Sequence, residues 1–150
     1  MDDTTRKEVC RQLAHYLADT YVLYVKTQNF HWNMVGSEFF MYHKLLEEQY
    51  ESLADANDEL AERIRQLKEK APGSMEQFLE LSEIKEASSN LSQQKMIQEL
   101  ANNHSHMVEK GEELIAYCDQ NGDPATSDMI VGRIREHGKQ AWLLRSHLDG

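Results

Sequence analysis

Residues 37–67, SEFFMYHKLLEEQYESLADANDELAERIRQL, decide the fold of this chain. Apolar side chains recur there in a heptad rhythm, which predicts one long helix with an apolar seam and with Ser37 as its N-cap. The seam consists of Leu46, Tyr50, Leu53, Asn57, Leu60, Ile64 and Leu67. Such a seam is typical of an antiparallel helical bundle, and a leucine zipper is the alternative interpretation.

Two helices flank this segment. Thr5 and Glu8 have the spacing of a capping box, which predicts a first helix that starts at Thr5 and ends near Trp32. Ser74 and Gln77 form a second capping box after Pro-Gly, and they predict a short helix over 74–81.

The second half of the chain contains two further predicted helices. One runs from about Leu91 to Cys118, and the other begins at Pro124 after the turn DQNGD and reaches about Leu148. The expected fold class is therefore all-α: a ferritin-like four-helix bundle with a short helix in the crossover between helices two and three.

Composition restricts the functional classes. The 150 residues suit one domain over 1–150, and a net charge of −10 disfavours nucleic acid and attracts cations. No signal-peptide pattern and no apolar run of about 20 residues is present, so we expect a cytoplasmic protein with no membrane partner. Cys10 and Cys118 have no CxxC spacing and are expected to be buried thiols in a reducing compartment.

Residues able to bind a metal stand at both ends of the second helix. His43 with Glu47, and Asp58 with Glu62, are pairs at i,i+4 spacing, and His31 lies just upstream. At about 1.5 Å rise per residue, His43 and Asp58 lie about 22 Å apart, so no single ion can join the two pairs. Either the pairs are a solvated face with structural histidines, or they are half-sites that meet when a second copy packs antiparallel.

Imidazole and carboxylate without thiolate suit Fe²⁺, Mn²⁺ or Zn²⁺, and few protein ligands leave positions open for an oxidant. The chain has no Glu-x-x-His, the motif by which ferritin-like di-iron proteins build a site inside one bundle. A site within one chain is therefore not expected. His104 and His106 are expected to pack in the core or at an interface.

Four segments resemble the Dps family, the small ferritins named as DNA-binding proteins from starved cells. NFHWNMVGSEFFMYHKLLEE (29–48) and DANDELAERI (55–64) resemble its metal-site signature. PGSMEQFLELSEIKEAS (72–88) resembles its crossover, and DMIVGRIREHGKQAWLLRSHL (128–148) resembles its last helix. The resemblance implies a ferroxidase: a hollow shell of twelve identical subunits that oxidises Fe²⁺ with hydrogen peroxide at sites between subunits and stores the ferric mineral inside.

The resemblance also implies roles for particular residues. His31, His43 and Glu47 would bind iron from one subunit, and Asp58 and Glu62 from its partner. Many relatives have Asp where this chain has Glu47.

Two further roles follow from the same resemblance. Trp32 matches an aromatic residue thought to quench radicals, although simple core packing is the alternative. Asp119, Asp123 and Asp128 lie where the family has its pores, and ordinary turn and cap roles are the alternative.

The family name raises the question of DNA binding. Relatives that compact DNA commonly use a mobile, lysine-rich tail, whereas this chain has only Arg6 and Lys7 among acidic residues near its start, and its carboxyl end SHLDG has no basic cluster. Weak or absent DNA binding is therefore expected. A nucleoid-compacting protein with secondary iron chemistry is the alternative function, and a plain helical interaction module is a third.

Overall fold

The computed structural model describes residues 1–148, in which five α-helices and no strands occur. They are α1 (Asp3–Asn33), α2 (Phe39–Gln66), α3 (Met75–Leu81), α4 (Gln93–Gln120) and α5 (Pro124–Leu148). Four long helices with a short helix between α2 and α4 confirm the predicted all-α fold. The final two residues of SHLDG lie outside the described residues.

The long helices pack as two pairs, α1 with α2 and α4 with α5, and α1 also packs on α4. Apolar side chains from all four long helices form the fully buried centre. These side chains include Leu13, Leu17, Phe30, Leu46, Leu53, Leu60, Ile64, Met96, Ile97, Leu100, Ile130 and Leu144. Because six of the seven seam residues, all except Tyr50, are buried within their own chain, the leucine-zipper interpretation is wrong.

Two predicted helix starts are also wrong. The N-cap of α1 is Asp2, whose Oδ1 accepts a 2.8 Å hydrogen bond from the Thr5 backbone N–H, so Thr5 lies in the first turn instead of preceding it. Helix α2 begins after Glu38, and Ser37 does not cap it. The preceding Gly36 has φ +147°, a conformation that favours glycine, and this turn moves the cap position one residue onward.

The other starts agree with the sequence. Ser74 and Gln77 form the predicted capping box at α3, and Pro124 is the first residue of α5. Helix α4 begins at Gln93, after Ser92 as its cap. At these helix starts, capping involves only residues that are close together in the sequence.

A buried carboxylate fixes the crossover between α3 and α4 to the bundle. Asp19 Oδ1 accepts hydrogen bonds from Ser82 Oγ at 2.8 Å and from the Glu83 backbone N–H at 2.7 Å. Its Oδ2 lies 2.9 Å from His106 Nε2. Burial raises the pKa of Asp19, but these hydrogen bonds together hold it below the usual value. His106 thus has a structural role, as expected from the sequence.

Cys10 and Cys118 are free and buried, which confirms their prediction as buried thiols. Burial raises the pKa of Cys118 to about 11, so its thiol stays protonated. Within residues 1–148, none of the helices is both long and apolar enough to span a lipid bilayer.

Candidate metal centre

The turn between α1 and α2 brings His31 and His43 into contact. Their rings stack with centroids 3.7 Å apart and planes 11° from parallel. His31 Nδ1 lies 2.7 Å from the His43 carbonyl oxygen, and His43 Nδ1 lies 2.8 Å from the His31 carbonyl oxygen. Each side chain therefore binds the backbone of the other residue.

This reciprocal bonding fixes the tautomer of both rings. A carbonyl oxygen only accepts, so each Nδ1 must carry the hydrogen and donate it. In the neutral ring, Nε2 then keeps its lone pair. Because a backbone carbonyl on one ring nitrogen is a common way to orient a metal-binding histidine, both imidazoles are arranged as Nε2 ligands.

Aromatic neighbours hold the two rings. Tyr50 contacts His31 edge-to-face with ring centroids 5.1 Å apart, and Phe39 lies 5.0 Å from the His43 ring. His31 is buried and His43 is half-buried, so the pair is enclosed on one side and open on the other. We call His31 and His43 the imidazole half-site.

Glu47 lies one helical turn beyond His43 and is partly exposed. Its Oε2 is 3.9 Å from Lys44 Nζ, a long ion pair between side chains that are 37% and 57% exposed. Exposed pairs of this kind are weak, so the Glu47 carboxylate can be displaced toward a cation.

Trp32 is 63% exposed, so its core-packing alternative is wrong. The aromatic residue that contacts His31 is Tyr50, which sequence reasoning placed in the seam without a functional role. Its spacing of seven residues from His43 puts it on the same helix face two turns away, and this signal could have identified it.

Asp58 and Glu62 lie together on the exposed face of α2, and we call them the carboxylate half-site. The pKa of Glu62 is raised because its protonated carboxyl can donate a hydrogen bond to the Asp58 carboxylate and because two negative charges there would repel. A bound cation would remove this repulsion. The two carboxylates therefore form an arrangement that favours a positive ion between them.

The carboxylate half-site borders an open groove of about 370 Å³ between α1 and α2. Asp58 lines this groove with Tyr21 and Tyr24 of α1 and with Ala54 and Ala61 of α2. The two alanines make the groove floor low enough for another helix to approach closely.

Within residues 1–148, no cluster of three or more histidine, cysteine, aspartate or glutamate side chains is placed to hold a metal. The fold brings His31 to His43 and Asp58 to Glu62, but it does not bring one pair to the other. Each half-site by itself supplies only two of the proposed ligands.

The three aspartates near the start of α5 differ in their surroundings. Asp123 is 3% exposed, pairs with Arg63 at 3.1 Å and caps α5 through the Thr126 backbone N–H at 3.1 Å. The structure therefore corrects the pore prediction for Asp123, because its carboxylate is used inside the chain. Asp119 and Asp128 are exposed, and Asp119 accepts a 2.6 Å hydrogen bond from Ser127 Oγ.

A second histidine pair lies in the core, where His104 and His137 have their Nδ1 atoms 2.9 Å apart. Arg133 Nη2 lies 3.3 Å from His137 Nε2, and an arginine can only donate, so His137 Nε2 is the acceptor. His137 Nδ1 then donates to His104 Nδ1. Both lone pairs are used within the protein, and burial lowers the pKa of His104 to about 3. His104 is thus a core residue, as expected.

Comparison with known proteins agrees with this architecture. Residues 10–150 match the model of the ferritin-like domain, which defines the chain as a ferritin-like protein. A DNA protection during starvation protein of Helicobacter pylori is 35% identical, over 91% of this chain and 95% of that protein. The chain belongs to the Dps family of ferritin-like proteins.

Solved structures give the same result. A Dps protein from Bacillus brevis has a TM-score of 0.95 and 31% identity, with 99% of both chains covered. A Dps protein from Vibrio cholerae, described as a member of a broad superfamily of ferritin-like diiron-carboxylate proteins, has a TM-score of 0.95 and 32% identity, covering 99% of this chain and 93% of that one.

Proposed function

We propose that this chain is a ferroxidase that oxidises Fe²⁺ with hydrogen peroxide and stores the ferric product inside a hollow shell of twelve identical subunits. The observation that carries this proposal is the imidazole half-site. In this member of the Dps family, the His31 and His43 imidazoles lie side by side with their Nε2 lone pairs available. The pair supplies only two ligands, so further ligands must come from elsewhere.

A second copy of the chain would complete the site. If two α2 helices pack antiparallel about a two-fold axis, the carboxylate half-site of one subunit meets the imidazole half-site of the other, and the symmetry builds the site twice. The groove beside Ala54 and Ala61 gives the partner helix room to approach. Asp58 and Glu62 are exposed in the single chain, so the histidines of a partner subunit have room to approach their carboxylates. This exposure supports the proposed assembly.

The ligand set suits iron oxidation. Carboxylate oxygens are hard anions that stabilise Fe³⁺ more than Fe²⁺, while imidazole binds both. Two Fe²⁺ ions give one electron each to hydrogen peroxide, whose O–O bond breaks, and two protons complete two water molecules. Delivery of both electrons in one site suppresses the one-electron reaction that releases hydroxyl radical.

Iron would reach the interior through pores lined by Asp119 and Asp128, which are exposed near the start of α5. A ring of carboxylates raises the local concentration of cations. Asp123 is not included, because it pairs with Arg63.

DNA binding is proposed to be weak or absent. The net charge of −10 opposes contact with phosphates. Arg6 is also engaged, because its Nη1 donates to the Leu67 carbonyl oxygen at 2.8 Å and to Glu69 at 3.0 Å. The free, buried thiols Cys10 and Cys118 are consistent with a cytoplasmic location.

Subunit mixing tests the proposal. One variant carries His31→Ala and His43→Ala, and the other carries Asp58→Ala and Glu62→Ala. Shells made from either variant alone should no longer produce the absorbance of ferric species when Fe²⁺ and hydrogen peroxide are added. Mixed shells, made by dissociation and reassembly together, should regain part of it, because some interfaces then contain both intact half-sites.

The matched control carries Glu51→Ala and Asp55→Ala, two exposed acidic residues at the same spacing on α2. Its shells should oxidise iron at the normal rate. Absence of rescue in mixed shells of verified composition would reject a site shared between subunits. A gel shift of duplex DNA at moderate salt by the unmodified protein would favour the nucleoid-compacting alternative.

A further inference from the structure

The turn that joins α1 to α2 determines how His31 faces His43, and most of its residues lie at the surface. Met34 is buried at its start, but every residue from 35 to 41 is exposed. Gly36, inside the turn, has φ +147°, a conformation that other residue types adopt only with strain. Contacts from elsewhere in the chain are therefore important for keeping this turn in one shape.

A side chain from α4 covers the turn. Gln93 is the first residue of α4, and a Cβ atom added to Gly36 would lie 2.9 Å from each of its Cδ, Oε1 and Nε2 atoms. Three equal distances mean that the amide group presents its flat face to the Gly36 backbone. The glycine makes this close approach possible, because it has no side chain in the way.

The backbone of Gln93 is held in place by its own helix. Ser92 caps α4, and its Oγ accepts a 3.1 Å hydrogen bond from the Lys95 backbone N–H. Helix α4 packs on both α1 and α5. The amide thus reaches the turn from a helix that is fixed independently of the turn.

This contact combines two unfavourable features. Gln93 Nε2 is buried, and no atom in the part of the chain that the structure describes accepts a hydrogen bond from it. Unpaired buried donors are rare, because they lose their hydrogen bonds to water. The unpaired amide lies directly against the positive φ of Gly36. Costly features of this kind persist where the surrounding structure enforces them, and they cluster at functional sites.

We propose that Gln93 is a positioning residue for the imidazole half-site. Its amide holds the Gly36 turn in the shape that places each histidine ring against the backbone carbonyl of the other histidine. This inference rests on the proposed function, because it gives the turn a part in metal binding.

The reciprocal hydrogen bonds of the half-site connect the two ends of this turn, at 2.7 Å and 2.8 Å. A change in the turn would therefore alter both distances together. Each ring would then lose the acceptor of its Nδ1–H group, and the hydrogen could move to Nε2. A ring with hydrogen on Nε2 no longer offers that nitrogen to a metal.

General stabilisation of the bundle is the competing explanation, and three variants separate the two. Gln93→Ala removes the amide from the turn. Gln93→Met keeps a side chain of similar length that can still cover Gly36. Gln94→Ala is the matched control, because Gln94 is the neighbouring glutamine in the same helical turn and is exposed.

Nitrogen-15 solid-state NMR of the metal-free assembled protein identifies the ring tautomers. The signals of the half-site are assigned by their loss in the variant that carries His31→Ala and His43→Ala. The unmodified protein, Gln93→Met and Gln94→Ala should show hydrogen on Nδ1 of both rings. Gln93→Ala should show a second population with hydrogen on Nε2. Its affinity for Co²⁺, measured by isothermal calorimetry, should fall about ten-fold, as for other groups that orient metal ligands.

A further variant tests the contact itself. Gly36→Ala places a methyl group where the Gln93 amide lies, so the amide must move away from the turn. Gln93→Ala should therefore weaken cobalt binding much less in the Gly36→Ala protein than in the unmodified protein. Equal weakening in both proteins would show that Gln93 does not act through this contact, and would overturn the proposal.

Unchanged tautomers and unchanged cobalt affinity in Gln93→Ala would also overturn the positioning role, even if urea denaturation showed a loss of stability. Oxidation of Fe²⁺ by the unmodified protein is measured separately. Its absence would reject the proposed function, whereas the NMR signals of the metal-free protein would still decide whether Gln93 orients the two rings.

Discussion

The chain contains two histidine pairs, and their surroundings give them opposite properties. In the imidazole half-site each Nδ1 donates to a backbone carbonyl, which leaves both Nε2 atoms available. In the core pair the two Nδ1 atoms bond to each other and Arg133 occupies the remaining acceptor. Availability to a metal therefore depends on which groups occupy the ring nitrogens, and not on the closeness of two histidines.

The largest expected effect comes from removing the available pair. His31→Ala combined with His43→Ala should reduce peroxide-driven iron oxidation to the rate in buffer, because the remaining ligands are carboxylates with no imidazole partner. Stopped-flow absorbance of ferric species measures this. The same measurement on His137→Ala, per correctly assembled shell, should give the normal rate. Equal loss of activity in both variants would remove the distinction between the two pairs.

The core pair should instead control stability. His137→Ala leaves the buried His104 without its hydrogen-bond partner, removes the acceptor of the partly buried Arg133 and opens a cavity, so we expect destabilisation by about 3 kcal/mol. Urea denaturation at a fixed protein concentration measures the change, since assembly contributes to apparent stability. If His137→Ala lowered the free energy of unfolding by less than His43→Ala does, this result would contradict the structural role of His137.

Acid should affect the core pair in a defined direction. Burial, then neighbouring positive charge, lowers the pKa of His104 to about 3 and that of His137 well below its usual value. The folded chain keeps them neutral while the unfolded chain binds protons below about pH 6.5, so their contribution to stability is present above that pH and is lost progressively as pH falls toward 3.

His106 provides a contrast of opposite sign. Its hydrogen bond to Asp19 raises its pKa, so its contribution is full below about pH 6.5 and declines as pH rises through the folded value. Urea midpoints between about pH 7 and pH 5 should show a smaller acid loss in His104→Gln than in the unmodified protein, and a larger loss in His106→Gln. A larger acid loss in His104→Gln and a smaller one in His106→Gln would contradict the directions assigned to the two pKa shifts.

The smallest effect concerns Glu47. Removal of its ion-pair partner by Lys44→Ala should strengthen binding of Co²⁺, a redox-stable substitute for Fe²⁺, by about two-fold, because exposed pairs contribute about 0.2–1 kcal/mol. Isothermal calorimetry measures the affinity. Lys95→Ala on α4 is the control for a general change in charge. Weaker cobalt binding in Lys44→Ala would mean that the lysine supports the site instead of competing with it.

Sequence reasoning succeeded where the determining contacts are local. The capping box of Ser74 and Gln77 and the proline start of α5 involve residues within one turn, and both appear as predicted. Thr5 and Ser37 failed as caps because Asp2 and the Gly36 turn competed within a few residues. The local sequence pattern does not show which of several adjacent residues caps the helix.

Site residues follow the same rule. His31 and His43 could be paired from sequence because a short turn joins their helices. Asp123 could not be assigned, because its partner Arg63 is 60 residues away. The contact of His104 with His137 spans 33 residues, and that of Tyr24 with Tyr50 joins two helices. Such contacts depend on three-dimensional packing that spacing alone does not encode.

The crossed bonding of His31 and His43 has a consequence for turnover. Each ring is held by the main chain of the opposite helix, so its orientation needs no ion to maintain it. In the proposed iron site, such a pair would keep its shape after a ferric product had left. The next ferrous ion would then meet ligands already in position, and repeated loading would require little rearrangement of the protein.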